Sequence, residues 1–139
     1  MTINYIAILV ASVVQFIIGA IWYTPVFGKL WGKIHGFDMH NPEVQKDMQK
    51  KMLPLLVVQF ITTIVTTIVL AIFIAFLPTS WNVYALAGFF WIGFVIPTQV
   101  SAVLFGGTNP KWVVTKILIM AGGSILCLEA AAVIIKMMM

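Results

Sequence analysis

The chain has 139 residues, of which 62% are hydrophobic and 9% charged, with a mean hydropathy of +1.08. Soluble domains carry roughly 45–50% apolar and about 25% charged residues, so this composition excludes a water-soluble fold with an ordinary polar surface. The formal charge of +4 comes from eight Lys and no Arg, gathered between apolar segments. That distribution sets membrane orientation and does not make the basic, aromatic-lined face of a nucleic-acid binder.

Four apolar segments, at about 3–23, 53–77, 82–105 and 112–135, each approach the ~20 residues that cross a hydrocarbon core of about 30 Å. They predict one all-α, polytopic membrane domain over 1–139 with the lipid bilayer as its first partner. Met1-Thr2-Ile3-Asn4 lacks the cationic region of a secretory signal, and the run behind it exceeds a signal's apolar core. It is expected to remain as the first span, with Ser12, Gln15 and Gly19 as a polar stripe. Thr24-Pro25, Asn41-Pro42 and Asn109-Pro110 each set a capping side chain before a proline, which places helix starts near 25, 42 and 110.

In the first loop, Phe27, Leu30, Trp31 and Ile34 recur at helical spacing, with Lys29 and Lys33 on another face. They predict a short amphipathic helix in the headgroup region, ended by His35-Gly36. From Pro42 a helical extension leads into the second span, with Glu43–Lys46 and Asp47–Lys51 as pairs and a kink at Pro54. Gln59, Thr63 and Thr66, flanked by Thr62 and Thr67, form a polar stripe on that span. Pro97 interrupts the third span, freeing the Gly93 carbonyl, and Thr98, Gln99 and Ser101 follow it. Phe105-Gly106-Gly107 supplies a left-handed stop.

Lys29, Lys33, Lys46, Lys50, Lys51, Lys111 and Lys116 lie in or beside the first and third loops, and only Lys136 lies on the other side. The positive-inside rule then puts loops one and three in the cytoplasm and both termini outside. Trp22, Tyr23, Trp31 and Trp112 mark the inner boundary, and Tyr5, Trp81 and Tyr84 the outer. A short match between Phe27-Gly28-Lys29-Leu30-Trp31 and Asn109-Pro110-Lys111-Trp112 hints at a repeat, but it consists of common interfacial residues.

Several stretches together resemble a known family. They are Asn4-Tyr5-Ile6-Ala7; Phe16 to Pro25 with its Gly-x-x-Trp-Tyr-Thr-Pro element; Phe27-Gly28-Lys29-Leu30-Trp31; Trp91-Ile92-Gly93-Phe94-Val95 with Pro97-Thr98; and Phe105-Gly106-Gly107. The family is a set of small prokaryotic membrane proteins catalogued as domain of unknown function 1761. The resemblance implies the membrane fold over nearly the whole chain, in the prokaryotic cytoplasmic membrane, and implies no activity. Where the family often carries a Tyr-His pair in the last span, this chain has Ala121-Gly122-Gly123-Ser124.

Glu129 is the only acidic residue within a span, which makes it a candidate proton carrier or cation ligand. The plainer reading counts 18 residues from Lys111, about 27 Å at 1.5 Å per residue, and sets it near the far interface in reach of headgroups or Lys136. Gln59, Thr63, Thr66, Pro97, Thr98, Gln99 and Glu129 are thus the candidate ion or small-solute pathway, with helix-packing hydrogen bonds as the alternative. His35, Asp38, His40 and Glu43 offer metal-ligand types without a fixed geometry, and Met39 with Met137-Met138-Met139 raises Cu(I) only weakly. No metal site or cofactor is expected. Cys127 is a lone thiol expected to pack as a small apolar group. No nucleophile–base or paired-carboxylate arrangement can be drawn, so no catalytic residue and no enzyme activity are expected. Small residues at Gly19-Ala20, Gly88, Gly93 and Ala121-Gly122-Gly123 suggest helix surfaces for a homo-oligomer. The expected function is ion or solute permeation or binding by that oligomer; the alternative is a structural or partner-binding membrane protein.

Overall fold

A computed structural model describes residues 2–78 and 80–139. Met1, which opens the N-terminal stretch read above, and Thr79, in the connection after the second span, lie outside the described residues. The described chain is helical with no strand, and four of its helical stretches are long and apolar enough to cross a membrane: Tyr5–Val26, Pro42–Phe76, Val83–Phe105 and Pro110–Met138.

Helix α1, Tyr5–Ile21, is capped by Asn4, whose side-chain oxygen accepts from the backbone N–H groups of Ile6 and Ala7 at 3.0 and 3.2 Å. The helix does not restart at Pro25. It runs on through a π turn, Trp22–Val26, closed by Phe27 N–H donating to the Trp22 carbonyl at 2.9 Å. A proline lacks the amide that an α-turn would use, and the wider turn carries the chain past that gap. The break falls at Phe27 (φ −115°, ψ 8°), after which α2, Gly28–Ile34, begins. Gly36, at φ +70°, ends the segment in the left-handed region that glycine adopts without strain.

Helix α3, Pro42–Phe76, has 35 residues, about 52 Å at 1.5 Å per residue. Asn41 accepts from Val44 N–H at 3.0 Å with Pro42 in the first turn, and the helix continues through Pro54 without interruption. Of the two pairs expected on its first turns, Lys51–Asp47 forms at 2.9 Å and is exposed. It is the one ion pair among the described residues.

The third span is α4, Val83–Phe90, a second π turn, Trp91–Val95, and α5, Ile96–Phe105. Asn82 caps it at Tyr84 N–H, 2.8 Å, and Gly107 (φ +73°) follows its end. A 3-10 turn, Pro110–Trp112, capped by Asn109, leads into α6, Val113–Met138.

Helix α6 is the hub, packing on α1, α3, α4 and α5. The core sits toward the Asn4 and Met138 end, where Ile8, Ala11, Leu70, Ala71, Leu86, Ala87, Leu128, Ala131 and Ile135 meet. The fully buried Ala7, Ala11, Ala87, Ala131 and Ala132 let backbones approach closely, which is how helices associate when lipid is as apolar as leucine. Asn4 Nδ2 ties the ends by donating to the Met138 carbonyl at 2.8 Å. Toward the lysine-bearing end the bundle opens, and residues 51–59 of α3 are exposed on all sides.

Candidate functional site

Both π turns begin with a tryptophan, and both indoles reach the same stretch of α6. Trp22 Nε1 donates to the Ile119 carbonyl at 2.8 Å, and Trp91 Nε1 donates to the Ala121 carbonyl at 3.0 Å and to Ser124 Oγ at 3.1 Å. The Trp22 ring lies over Gly122 and Gly123, where an added Cβ would meet it at 2.8 Å in each case. These glycines therefore pack within the protomer and do not offer a free surface. Trp22, expected to mark the membrane boundary, directs its ring onto α6. The signal in the sequence was the adjacent Gly122-Gly123, which gives a flat indole room on a helix.

The expected pathway residues are distributed over several surfaces. Gln99 joins the α6 cluster, its Nε2 donating to the Met120 carbonyl at 3.4 Å and its Oε1 accepting from Ser124 Oγ at 3.5 Å. Pro97 and Thr98 are exposed, and Thr98 Oγ1 donates back to the Phe94 carbonyl at 2.6 Å. Gln59 and Thr66 are exposed, whereas Thr63 is half-buried, one turn before the buried Thr67 and two turns before the buried Leu70. Thr62 and Thr63 donate to the Gln59 carbonyl and Thr66 to the Thr62 carbonyl. The stripe on α1 does turn inward: Ser12 donates to the Ile8 carbonyl, and the buried Gln15 Nε2 donates to Thr67 Oγ1 at 2.6 Å. Cys127 Sγ, half-buried, lies 3.5 Å from the Gln15 carbonyl.

Glu129 is half-buried, and its Oε2 is shielded from solvent without a hydrogen-bond partner among the described residues. Lys136 does not pair with it. Two contacts set the antiparallel register of α1 and α6: Asn4 with Met138 and Gln15 with Cys127. That register levels Glu129 with Val13, nine residues or about 14 Å in from Asn4 and close to halfway along the first span. Glu129 lies nine residues before Met138, the last residue of α6.

At the lysine end, Lys116 Nζ lies 5.8 Å from the Trp31 ring centroid and 3.4 Å from Thr108 Oγ1. The Trp31 ring also meets those of Tyr23 and His35, at 4.7 and 4.6 Å between centroids. His35, Asp38, His40 and Glu43 do not gather: among the described residues no three His, Cys, Asp or Glu could hold one metal ion. A cavity of about 20 Å³, lined by Ile74, Leu77, Trp81, Asn82, Leu86 and Lys136, lies at the far end from the lysine-rich loops.

A family model described as "Protein of unknown function (DUF1761)" matches residues 6–136. No curated protein and no solved structure matches the chain.

Proposed function

The chain belongs to the DUF1761 family, and from its own residues we propose that it is a non-catalytic membrane protein that binds a proton or small cation at Glu129 and passes it across the bilayer as a homo-oligomer. One observation carries this reading: the Glu129 Oε2 atom, shielded and without a partner among the described residues, nine residues before the end of an apolar helix. An ionised carboxylate there is costly unless something neutralises it, and no basic side chain among the described residues does so. A proton or a cation taken from the membrane surface fills that role. The alanine-packed core leaves no room for a path inside one protomer, so passage runs along a boundary between subunits. Gln59, Thr66 and Thr98, which are exposed, are the polar groups available there. In this reading the lysine-rich first and third loops face the cytoplasm and both termini face outside, which the asymmetry of charge supports.

A second reading, a structural or partner-binding role, is favoured by the Gln15–Thr67 bond and by the threonines that donate to their own helix. Those groups then serve packing alone. Proteoliposomes separate the two. A potassium diffusion potential should drive pH- or cation-dependent flux in the wild type and none in Glu129→Gln of equal thermal stability. Equal flux from the two proteins, or none from either, overturns the proposal.

A further inference from the structure

The outer side of α3 carries a pattern that the protomer does not use. Met52, Leu55, Gln59, Thr62, Thr66 and Val69 are all exposed, and their positions step by three and four residues. That is the spacing of a helix seam that packs knobs into holes against a second helix. The residues α3 buries in its own bundle, Thr67, Leu70, Ala71, Ile74 and Ala75, centre about 120° round the helix from the centre of this seam, with Leu70 in line with Met52 at its edge. The seam residues themselves stay exposed while the helix is docked.

Gln59 decides what covers it. It lies eight residues, about 12 Å, beyond Lys51 in an apolar run, and its amide has no partner among the described residues. Lipid tails offer neither donor nor acceptor, so an amide at this depth calls for a polar partner. A carboxamide both donates and accepts, and so it pairs with a copy of itself across a two-fold axis. The charges agree. Lys46 and Lys50 fall on the side of α3 away from the seam, and Lys51, nearer to it, is neutralised by Asp47. Two copies inserted in the same sense would run their α3 helices parallel without facing lysines.

We propose that a second copy of this chain docks along Met52–Val69 of α3, with the two Gln59 amides hydrogen-bonded to each other inside the membrane. This names the interface of the homo-oligomer proposed above and rests on that reading for the existence of an oligomer, not on Glu129. A single polar pair at such a seam position fixes register and partner number.

Single cysteines in a Cys127→Ser background, oxidised in native membranes with copper-phenanthroline, test it. Leu55→Cys, Thr62→Cys and Thr66→Cys should give disulfide dimers, whereas Val57→Cys, equally exposed but on the opposite side of α3, should not. Gln59→Leu should weaken the dimer, read by energy transfer in detergent, between about threefold and twentyfold. Gly93→Cys, on the exposed face of the third span, reports another interface. Dimers from Gly93→Cys with none from Thr62→Cys would keep the oligomer and overturn this seam. No dimer at any position would overturn both, and a Gln59→Leu dimer as tight as wild type would overturn the amide pair.

Discussion

Substituting Gly123 by Ala tests the packing of Trp22 on α6. The new Cβ would lie 2.8 Å from Trp22 Cδ1 and 3.0 Å from its Nε1, close to the rigid root of the ring. The indole cannot swing away freely, because Nε1 is bonded to the Ile119 carbonyl at 2.8 Å and the ring meets Phe27 at 4.7 Å. Relief therefore requires moving the indole and lengthening that bond. Overpacking costs about 1–3 kcal/mol and a weakened hydrogen bond about 0.5–1.5 kcal/mol. Replacing glycine in a helix returns about 1 kcal/mol. The balance is a loss of about 2 kcal/mol, read by thermal or dodecyl-sulfate unfolding in mixed micelles. Gly19→Ala is the reference, since its Cβ meets nothing within 4 Å and only the helix-propensity gain remains. In a double-mutant cycle, Trp22→Phe should remove much of the Gly123→Ala penalty, because the two sites share one contact. Equal stability of Gly123→Ala and wild type, or equal losses at positions 19 and 123, would refute the placement of Trp22 on α6.

Thr67→Val should destabilise by about 1–2 kcal/mol, because the buried Gln15 amide keeps only its 3.3 Å bond to the Ala11 carbonyl; urea or detergent unfolding reads the change. Asp47→Asn should leave stability within about 0.5 kcal/mol, since the Lys51–Asp47 pair is exposed on both sides. Single cysteines at Asn41 and Ser80, in the Cys127→Ser background, should react with an impermeant thiol reagent from opposite faces, and labelling from one face would overturn the four-span topology.

The spans were legible because lipid as solvent demands long apolar helices, and nothing else in the chain competes with that signal. Asn41 and Asn109 were legible as caps because a short polar side chain before proline has few other local uses. Thr24-Pro25 follows the same pattern and is no helix start, since a π turn carries the chain through the proline. That choice depends on where Trp22 docks, which is tertiary information. Trp22 itself was read as a boundary marker from its place at the end of an apolar run; its pairing with Gly122-Gly123 joins segments a hundred residues apart. The polar stripe on α3 was legible as a stripe, but periodicity alone cannot say whether it faces its own bundle or away from it. The exposure of Gln59, Thr62 and Thr66, against the burial of Thr67, decides that. For Glu129, residue counting along one helix could not give its level on α1, which the Asn4–Met138 and Gln15–Cys127 contacts set.

The chemical state of Glu129 is the centre of this account, and infrared difference spectroscopy in lipid nanodiscs reads it most directly. Subtracting Glu129→Gln from wild type isolates one carboxyl from Asp38, Glu43 and Asp47, which are all exposed. A carboxyl band present in the wild type and lost in Glu129→Gln should change reversibly when the proton or the bound cation is exchanged. A Glu129 band that stays the same through changes of pH and of cation would contradict it.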